Sequence, residues 1–137
     1  MSNVFSIPVR VYYEDTDAGG VVYYANYLRF MERARTEWLC ALNVNQNELS
    51  GSESVVFAVR SVRVEYVRPA RLNDMLEITA ALDRVGPASL SFVQEVRRDG
   101  EILCSGLVKV ACLDARGFFP KPIPSYILSR INLWRET

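Results

Sequence analysis

The repeat of apolar side chains changes from a strand-like to a helix-like period within the first part of the chain. Val9, Val11 and Tyr13 alternate with their neighbours, which is typical of a half-buried strand. From residue 26 to about residue 42, apolar side chains recur at helical spacing, and charged side chains occupy the other side. These apolar positions are Tyr27, Phe30, Met31, Ala34, Trp38 and Leu42. The pattern predicts one strand followed by an amphipathic helix of about four to five turns.

Two-residue alternation returns after residue 54 and predicts four further strands. Their expected apolar faces are Val62, Val64 and Tyr66; Leu76, Ile78, Ala80 and Leu82; Leu90, Phe92 and Val96; and Ile102, Cys104, Val108 and Val110. Pro69 ends the first of them, and Gly86-Pro87 and Asp99-Gly100 mark the next two turns. The strands are antiparallel if these short turns close hairpins. Residues 43–54 are expected to form a polar loop with a short helical turn, and residues 124–134 a short terminal helix.

This order of elements predicts a single α+β domain in which five strands share one long helix. One helix cannot cover both faces of a five-stranded sheet. Several residues on the outward side of the strands are small or apolar. A second copy of the chain that pairs its sheet with this one would cover them, so we expect a homodimer or a homotetramer.

The composition excludes several classes of partner. Sixteen basic and sixteen acidic residues balance, which argues against a nucleic-acid partner. The N-terminal stretch lacks the apolar core of a signal peptide, and no apolar run is long enough to span a membrane. Cys40, Cys104 and Cys112 lie beside apolar residues without CxxC spacing. They predict buried free thiols and a cytoplasmic location.

The absence of histidine restricts the chemistry. This absence excludes Ser-His-Asp triads, Cys-His pairs and imidazole zinc sites. General acid–base catalysis would therefore have to use Asp, Glu, Tyr, Lys or Cys. The stretch YYEDTDAGGVVYYANY, residues 12–27, brings Asp15 and Asp17 close to the predicted start of the helix. A carboxylate acts as a base or a nucleophile, and the first amides of a helix stabilise an oxyanion. Gly19 and Gly20 allow backbone conformations that a side chain would block.

The stretch DTDAGGVVYYANYLRFMERARTEWL, residues 15–39, resembles the 4-hydroxybenzoyl-CoA thioesterase family of the hotdog fold. Together with VEYVRPARLNDMLEI, residues 64–78, it is similar to the YbgC-like, Tol-Pal-associated acyl-CoA thioesterase branch. The resemblance covers nearly the whole chain. It implies a hotdog domain over residues 1–137, with an antiparallel five-stranded sheet wrapped around one central helix.

The resemblance implies that Asp17 is the catalytic carboxylate and that the amide at or near Tyr24 is the oxyanion donor. Two positions depart from the pattern. A histidine is common in the YbgC-like branch where this chain has Tyr24, and the hydroxybenzoyl branch has a basic cluster where this chain has residues 85–88, Val-Gly-Pro-Ala. Whether Asp17 acts as nucleophile or as general base stays open.

The remaining candidates surround these two residues. We expect substrate contacts from Gly19, Gly20, Val21, Tyr27, Glu32 and Arg68. Glu32 is either a second site carboxylate or a salt-bridge partner on the helix, and Asp15 is expected to be a structural hydrogen-bonding residue. Arg63, Arg68 and Arg71 either meet the CoA phosphates or are solvated, whereas Arg97 and Arg98 are expected to be solvated. No metal and no cofactor are expected.

The leading function is hydrolysis of a short-chain, medium-chain or aromatic acyl-CoA. An acyl-carrier-protein thioester is an alternative substrate. The alternatives from other classes are a non-catalytic acyl-CoA or acyl-carrier-protein binding module and a scaffold for lipid-synthesis enzymes. A hydratase is disfavoured, because hotdog hydratases use a histidine that this chain lacks.

Overall fold

The computed structural model describes residues 3–136 and contains a five-stranded antiparallel sheet with one long central helix. Residues 1, 2 and 137 of the predicted domain lie outside the described residues. The strands are β1 (Val4–Arg10), β2 (Val55–Tyr66), β3 (Met75–Val85), β4 (Ser89–Arg98) and β5 (Glu101–Asp114). The helices are α1 (Asn26–Ala41), α2 (Gln46–Glu48) and α3 (Ser125–Glu136). The predicted helix and four later strands are therefore confirmed.

The strands lie in the order β1-β3-β4-β5-β2, so strands that follow one another in the chain are not always neighbours. The two predicted hairpins, β3–β4 and β4–β5, are present. Strand β2 instead pairs with β5, from Val55 opposite Asp114 to Tyr66 opposite Cys104, and β1 pairs with β3. Residues 67–74, here called the crossing segment, therefore run from one edge of the sheet towards the other. They pass the start of α1, where the candidate site lies.

Helix α1 is held against the sheet by both packing and hydrogen bonds. Phe30, Met31 and Ala34 are fully buried, as the helical pattern predicts. The helix approaches the sheet closely at Gly106, where an added Cβ would lie 3.0 Å from the Met31 sulfur. The amide nitrogen of the fully buried Gln94 on β4 donates to the Met31 carbonyl at 3.0 Å. These contacts fix the height and rotation of the helix on the sheet.

The first strand ends earlier than the alternation predicted. Strand β1 stops at Arg10, and residues Tyr13–Asp15 form one 3₁₀ turn. A side-chain oxygen of Asp15 accepts a hydrogen bond from the Tyr12 amide at 2.8 Å. Asp side chains compete in this way with the partners that a sheet would offer to the backbone. The expectation of a strand through Tyr13 is therefore wrong.

One expected face of β5 is interrupted by a bulge. Ile102 is 39% exposed, whereas its neighbour Leu103 is fully buried. The pairing with β4 shifts between Val96 and Arg97, so Leu103 is an extra residue on β5. Its carbonyl accepts hydrogen bonds from the amides of Val67 and Arg68, at 2.8 and 3.0 Å. Only the later members of the predicted face, from Cys104 onward, share the buried side.

The structure also tests the expectations for the cysteines, for Arg98 and for the terminal helix. Cys104 and Cys112 are buried free thiols, and burial raises the pKa of their thiols to about 12 and about 11, but Cys40 is exposed at the end of α1. Arg98 is partly buried rather than fully solvated, and its guanidinium donates to a carboxylate oxygen of Asp74 at 2.7 Å. The terminal helix is slightly longer than predicted, with Ile127 buried against the core. Among residues 3–136, no helix is both long and apolar enough to cross a membrane.

Candidate active site

Asp17 opens a tight hairpin whose shape depends on glycine. Its amide donates to the Val21 carbonyl at 2.9 Å, and the Gly20 amide donates back to the Asp17 carbonyl at 3.0 Å. These two hydrogen bonds define a three-residue loop that ends in a glycine bulge. Gly20 has a φ of +79°, in the left-handed region that favours glycine. Residues 17–21 are here called the Asp17 loop.

The Asp17 carboxylate has one oxygen fixed and one oxygen open. Its Oδ1 accepts a hydrogen bond from the Gly19 amide at 2.8 Å. A Cβ on residue 19 would lie 3.3 Å from this Oδ1, so glycine gives the carboxylate its room. The other oxygen, Oδ2, has no hydrogen-bond partner within residues 3–136. The side chain is exposed, so Oδ2 can meet a water molecule or a substrate carbonyl.

Asp15 and Asn26 connect the Asp17 loop to the helix. The Asp15 carbonyl accepts hydrogen bonds from the Tyr23 amide at 3.0 Å and from the side-chain nitrogen of Asn26 at 2.8 Å. Both Asp15 and Asn26 are buried. Because Asn26 is the first residue of α1, its side chain sets the position of the loop relative to the helix N-terminus.

Sequence reasoning missed Asn26, although a signal for it was present. Asn26 lies four residues before Phe30 and eight before Ala34, on the stripe that the helix buries. A polar residue on a buried stripe requires a hydrogen-bond partner. Its position inside the Asp17 motif indicates that this partner belongs to the loop. Asp15 takes the structural part that was expected of it, since its side chain accepts from the Tyr12 amide.

The N-terminus of α1 offers backbone donors. Ala25 is the N-cap and has no side chain that caps the helix. Within residues 3–136, the amide of Tyr24 has no hydrogen-bond acceptor. Tyr24 is 62% exposed, and the residue before it, Tyr23, donates its amide to the carbonyl of Asp15. Unpaired amides at the positive end of a helix stabilise negative charge.

A cluster of tyrosines packs beside these donors. The Tyr66 hydroxyl donates to the Tyr24 carbonyl at 3.1 Å, and the Tyr27 hydroxyl accepts from the Ala70 amide at 3.0 Å. Tyr27 thus anchors the crossing segment from beneath. Burial raises the pKa of Tyr27 and of Tyr66 above the ordinary phenol value. Both phenols stay protonated near neutral pH, so neither provides a base.

The other predicted contact residues are spread over a wider area. Val21 pairs in antiparallel fashion with Arg71, which brings the crossing segment to the Asp17 loop. Arg68 is exposed and lies 3.6 Å from a carboxylate oxygen of Glu101. Arg71 is held through its amide, which donates to Asp74 at 2.8 Å. Arg68 therefore exposes its guanidinium on the crossing segment, three residues before Arg71.

Glu32 is not brought to Asp17 within one chain. It lies six residues into α1, which corresponds to about 9 Å along the helix axis. Its Oε1 accepts a hydrogen bond from the Thr36 hydroxyl at 3.3 Å, and it has no salt-bridge partner within 4.0 Å among the described residues. The expected salt bridge is therefore not formed. Glu32 lines the two clefts that flank the helix.

Metal-binding side chains do not gather near the Asp17 loop. In residues 3–136, no three His, Cys, Asp or Glu side chains are placed to hold one ion. The chemical groups within residues 17–24 are the open carboxylate oxygen of Asp17, the unpaired amide of Tyr24 and the two glycines between them. They suit attack of water or carboxylate on a carbonyl whose oxygen becomes negative.

Residues 11–131 match the model of the thioesterase-like superfamily. The chain belongs to this superfamily. It is 46% identical over 132 residues to the acyl-CoA thioester hydrolase YbgC of Escherichia coli O6:H1, covering 96% of this chain and 98% of the relative. It is 43% identical over 127 residues to the acyl-CoA thioesterase YbgC of Haemophilus influenzae, covering 93% of each chain.

Superfamily membership agrees with the three-dimensional comparison. The crystal structure of a probable thioesterase from Bartonella henselae superposes with a TM-score of 0.85 at 30% identity. It covers 89% of this chain and all of the Bartonella chain. The hotdog architecture and the relationship to YbgC acyl-CoA thioesterases, both expected from the sequence, are confirmed.

Proposed function

We propose that this protein hydrolyses acyl-CoA thioesters with Asp17 as the reacting carboxylate and the Tyr24 amide as the oxyanion donor. Its class, a thioester hydrolase, follows from its superfamily and its YbgC relatives. One observation carries the assignment of residues: the open Oδ2 of Asp17 and the unpaired Tyr24 amide are tied together through the Asn26–Asp15 hydrogen bond.

Two reaction courses use the same groups. In the first, Asp17 takes a proton from water while the water oxygen attacks the thioester carbonyl. The tetrahedral intermediate then collapses, the C–S bond breaks and the thiolate of CoA takes up the proton. In the second, Oδ2 attacks the carbonyl, CoA leaves as its thiolate, and water hydrolyses the resulting anhydride and protonates the thiolate. The Tyr24 amide stabilises the oxyanion in both.

The acyl group is a short, medium-length or aromatic one, carried by CoA or by an acyl carrier protein. Arg68 supports CoA as the carrier, because its charge is exposed and its one ion pair among residues 3–136 is a long one at the surface. Such pairs contribute at most about 1 kcal/mol, so a phosphate displaces the carboxylate readily. Arg63 and Arg71 belong to the same basic group in sequence and are also exposed.

The functional unit is a homodimer formed through β2, alone or as half of a homotetramer. Both β1 and β2 are edge strands, but β1 is seven residues long and carries Pro8, which protects an edge from pairing. Strand β2 has 12 residues, and its Val59 and Val62 are 50% and 41% exposed. A long edge with exposed apolar side chains is stable when a second copy pairs with it.

Pairing through β2 would complete the site. One end of β2 contacts the start of α1, through Tyr66 and Tyr24. The other end lies beside the later part of α1, where Phe57 and Leu39 line one cleft. In a two-fold antiparallel pair, the Tyr66 end of one strand lies next to the Phe57 end of the other. Asp17 of one protomer then faces the Glu32 segment of its partner.

Release of the CoA thiol, followed with a chromogenic reagent over a panel of aliphatic and aromatic acyl-CoAs, tests this function. We expect turnover without added metal. Binding of acyl-CoA without turnover would instead support the non-catalytic binding module. Rapid quenching and peptide mass spectrometry separate the two courses, since only the nucleophilic course leaves an acyl group on Asp17. Light scattering that gives a stable, active monomer near 15.6 kDa would contradict the dimer.

A further inference from the structure

Ala70 connects two parts of the candidate site through its backbone groups. Its carbonyl accepts a hydrogen bond from the amide of Val22, the residue that follows the Asp17 loop, at 2.9 Å. Its amide donates to the hydroxyl of Tyr27, on the first turn of α1, at 3.0 Å. Ala70 is fully buried, so both bonds are shielded from water. The Asp17 loop is therefore connected to α1 through the crossing segment as well as through Asn26.

The hydroxyl of Tyr27 is available to the backbone and not to solvent. Tyr27 is 3% exposed, and its ring contacts the rings of Phe30 and Tyr66, with centroids 6.3 and 5.5 Å apart. Its hydroxyl oxygen accepts from the Ala70 amide. These contacts hold the ring and the hydroxyl in one place, so the position of the Ala70 amide is tied to that of α1.

The crossing segment is also held on either side of Ala70. Before it, the amides of Val67 and Arg68 donate to the Leu103 carbonyl at 2.8 and 3.0 Å. After it, the Asp74 carboxylate accepts from a backbone amide of the segment and from a guanidinium on β4. Neither of these anchors uses the Tyr27 hydroxyl. Loss of that hydroxyl should therefore release Ala70 locally without detaching the whole segment.

We propose that Tyr27 is a positioning residue that orients Asp17 through Ala70. Val22 follows directly on Val21, whose carbonyl closes the Asp17 loop by accepting from the Asp17 amide at 2.9 Å. A shift of Ala70 moves this end of the loop, and with it the open Oδ2, relative to the N-terminus of α1. Misplacement of a reacting group by about 1 Å lowers a rate by about 10²-fold. This inference rests on the proposed function, in which the Asp17 carboxylate reacts.

Tyr27→Phe tests the proposal, because it removes the hydroxyl and keeps the ring. We expect kcat on the best acyl-CoA to fall by about tenfold or more at nearly constant KM, measured well below the melting temperature. The melting temperature should fall as well, since the buried Ala70 amide loses its acceptor. A lower melting temperature with unchanged kcat would overturn the proposal. So would a higher KM at constant kcat, which would instead indicate a direct contact between Tyr27 and the substrate.

Thr79→Val is the matched control. The Thr79 hydroxyl also accepts a hydrogen bond from a backbone amide, that of Glu95 at 2.9 Å, and Thr79 is 4% exposed. This bond joins β3 to β4 and does not involve the Asp17 loop. The substitution should lower the melting temperature and keep kcat within about threefold of wild type. An equal loss of kcat in both variants would contradict the proposal, because it would follow from lower stability alone.

A double-mutant cycle with Asp17→Asn tests whether Tyr27 acts through Asp17. Once the reacting carboxylate is gone, its orientation no longer matters. Tyr27→Phe should therefore lower the residual kcat of Asp17→Asn by about threefold or less, although it lowers kcat of the wild type by about tenfold or more. Additive losses would overturn the proposal, because Tyr27 would then act on another group.

Amide hydrogen exchange, followed by NMR, gives a measurement that does not depend on turnover. In Tyr27→Phe, the amides of Val22 and of the Asp17 loop should exchange faster by about tenfold or more, whereas Thr79→Val should keep their wild-type rates. If the wild-type protein hydrolyses no thioester but this difference is found, the proposed function fails and the control of the loop by Tyr27 stands. If it hydrolyses thioesters and exchange in Tyr27→Phe is unchanged, the positioning by Tyr27 fails alone.

Discussion

The two ends of α1 hold their polar groups by different means. At its start, the Asp17 carboxylate is oriented by the amide of Gly19, two residues away, in a loop that two local hydrogen bonds close. In its later half, Arg35 is oriented by Gln94, which lies on β4 and is itself held by β3 and α1. The first region depends on backbone conformation, and the second on correct assembly of the sheet. The two regions should therefore respond to different mutations.

Asp17→Asn should give the largest change at the first region. It keeps the size of the side chain but removes the charge, so we expect kcat to fall by about 10²–10⁴-fold, and further if Asp17 is the nucleophile. KM should change much less, because the proposed contacts to the CoA moiety do not involve the Asp17 carboxylate. Steady-state kinetics on the best acyl-CoA measure both. Asp15→Asn is the control, with a loss of stability and a smaller change in rate.

Comparable kcat for Asp17→Asn and wild type, with an intact fold by circular dichroism, would remove Asp17 from the mechanism. The next carboxylate to test would then be Glu32, acting from the partner protomer. The comparison of the two regions would fail with it, because the reacting carboxylate would then lie on α1 itself and not on the Asp17 loop.

Asn26→Ala should affect the first region next most strongly. It removes the donor to the Asp15 carbonyl, so it loosens the link between the Asp17 loop and the Tyr24 amide. We expect an unfolding free energy lower by about 1–3 kcal/mol, the usual cost of an unsatisfied buried group. We also expect kcat to fall about tenfold or more at nearly constant KM, as misplacement of catalytic groups produces.

A lower melting temperature of Asn26→Ala with unchanged kcat below that temperature would show that the hydrogen bond is only structural. Asn45→Ala is a useful comparison. Asn45 also uses its side chain at a helix start, since it caps α2, but it lies far along the chain from the loop. It should cost stability, about 1 kcal/mol, without a change in kcat.

Gln94→Leu should change the second region and spare the first. It removes the acceptor for Arg35 and two bonds to the carbonyls of Met31 and Thr79. Leaving these groups unpaired should lower the unfolding free energy by about 1–3 kcal/mol. Because Gln94 makes no contact with the Asp17 loop, kcat should stay within about threefold of wild type. Denaturant unfolding and steady-state kinetics measure the two effects.

Alanine substitution of the two loop glycines should give the smallest changes. The two variants separate backbone strain at Gly20 from steric crowding at Gly19. Gly20→Ala has open space but forces a side chain into a φ of +79°, so it should cost about 1 kcal/mol of stability. Gly19→Ala has no such strain, but its Cβ would lie 3.3 Å from Asp17 Oδ1. It should lower kcat more than the melting temperature. A reversed pattern would contradict the loop geometry.

The sequence predicts those features of the molecule that depend on residues close together in the chain. The helical stripe from Tyr27 to Trp38 and the turn at Asp99-Gly100 were confirmed because a few neighbouring residues determine them. The assignment of Asp17 and Tyr24 to one site also rests on their spacing in the sequence and stays a prediction. The early end of β1 was missed because the Asp15 side chain, three residues away, takes the Tyr12 amide from the sheet.

The features that could not be predicted depend on contacts between distant segments. Nothing near Val55 indicates that β2 pairs with β5 rather than with β3. The burial of Leu103 instead of Ile102 follows from a bulge against β4, which no alternation within β5 reveals. The sequence assigned no part to Arg35, and only the fold brings Gln94 of β4 to it. The exposed Cys40 was placed wrongly because its apolar neighbours lie on the opposite side of α1.

The pairing of β2 with β5 has a consequence for the chain during its synthesis on the ribosome. Strand β2 leaves the ribosome well before its partner, since Val55 pairs with Asp114 and Tyr66 with Cys104. Until then, both edges of a 12-residue strand rich in valine stay unpaired. Non-local pairing of this kind slows folding and leaves nascent chains prone to association. Strand β2, which is proposed to join two folded protomers, is therefore also the segment of the nascent chain that is prone to associate too early.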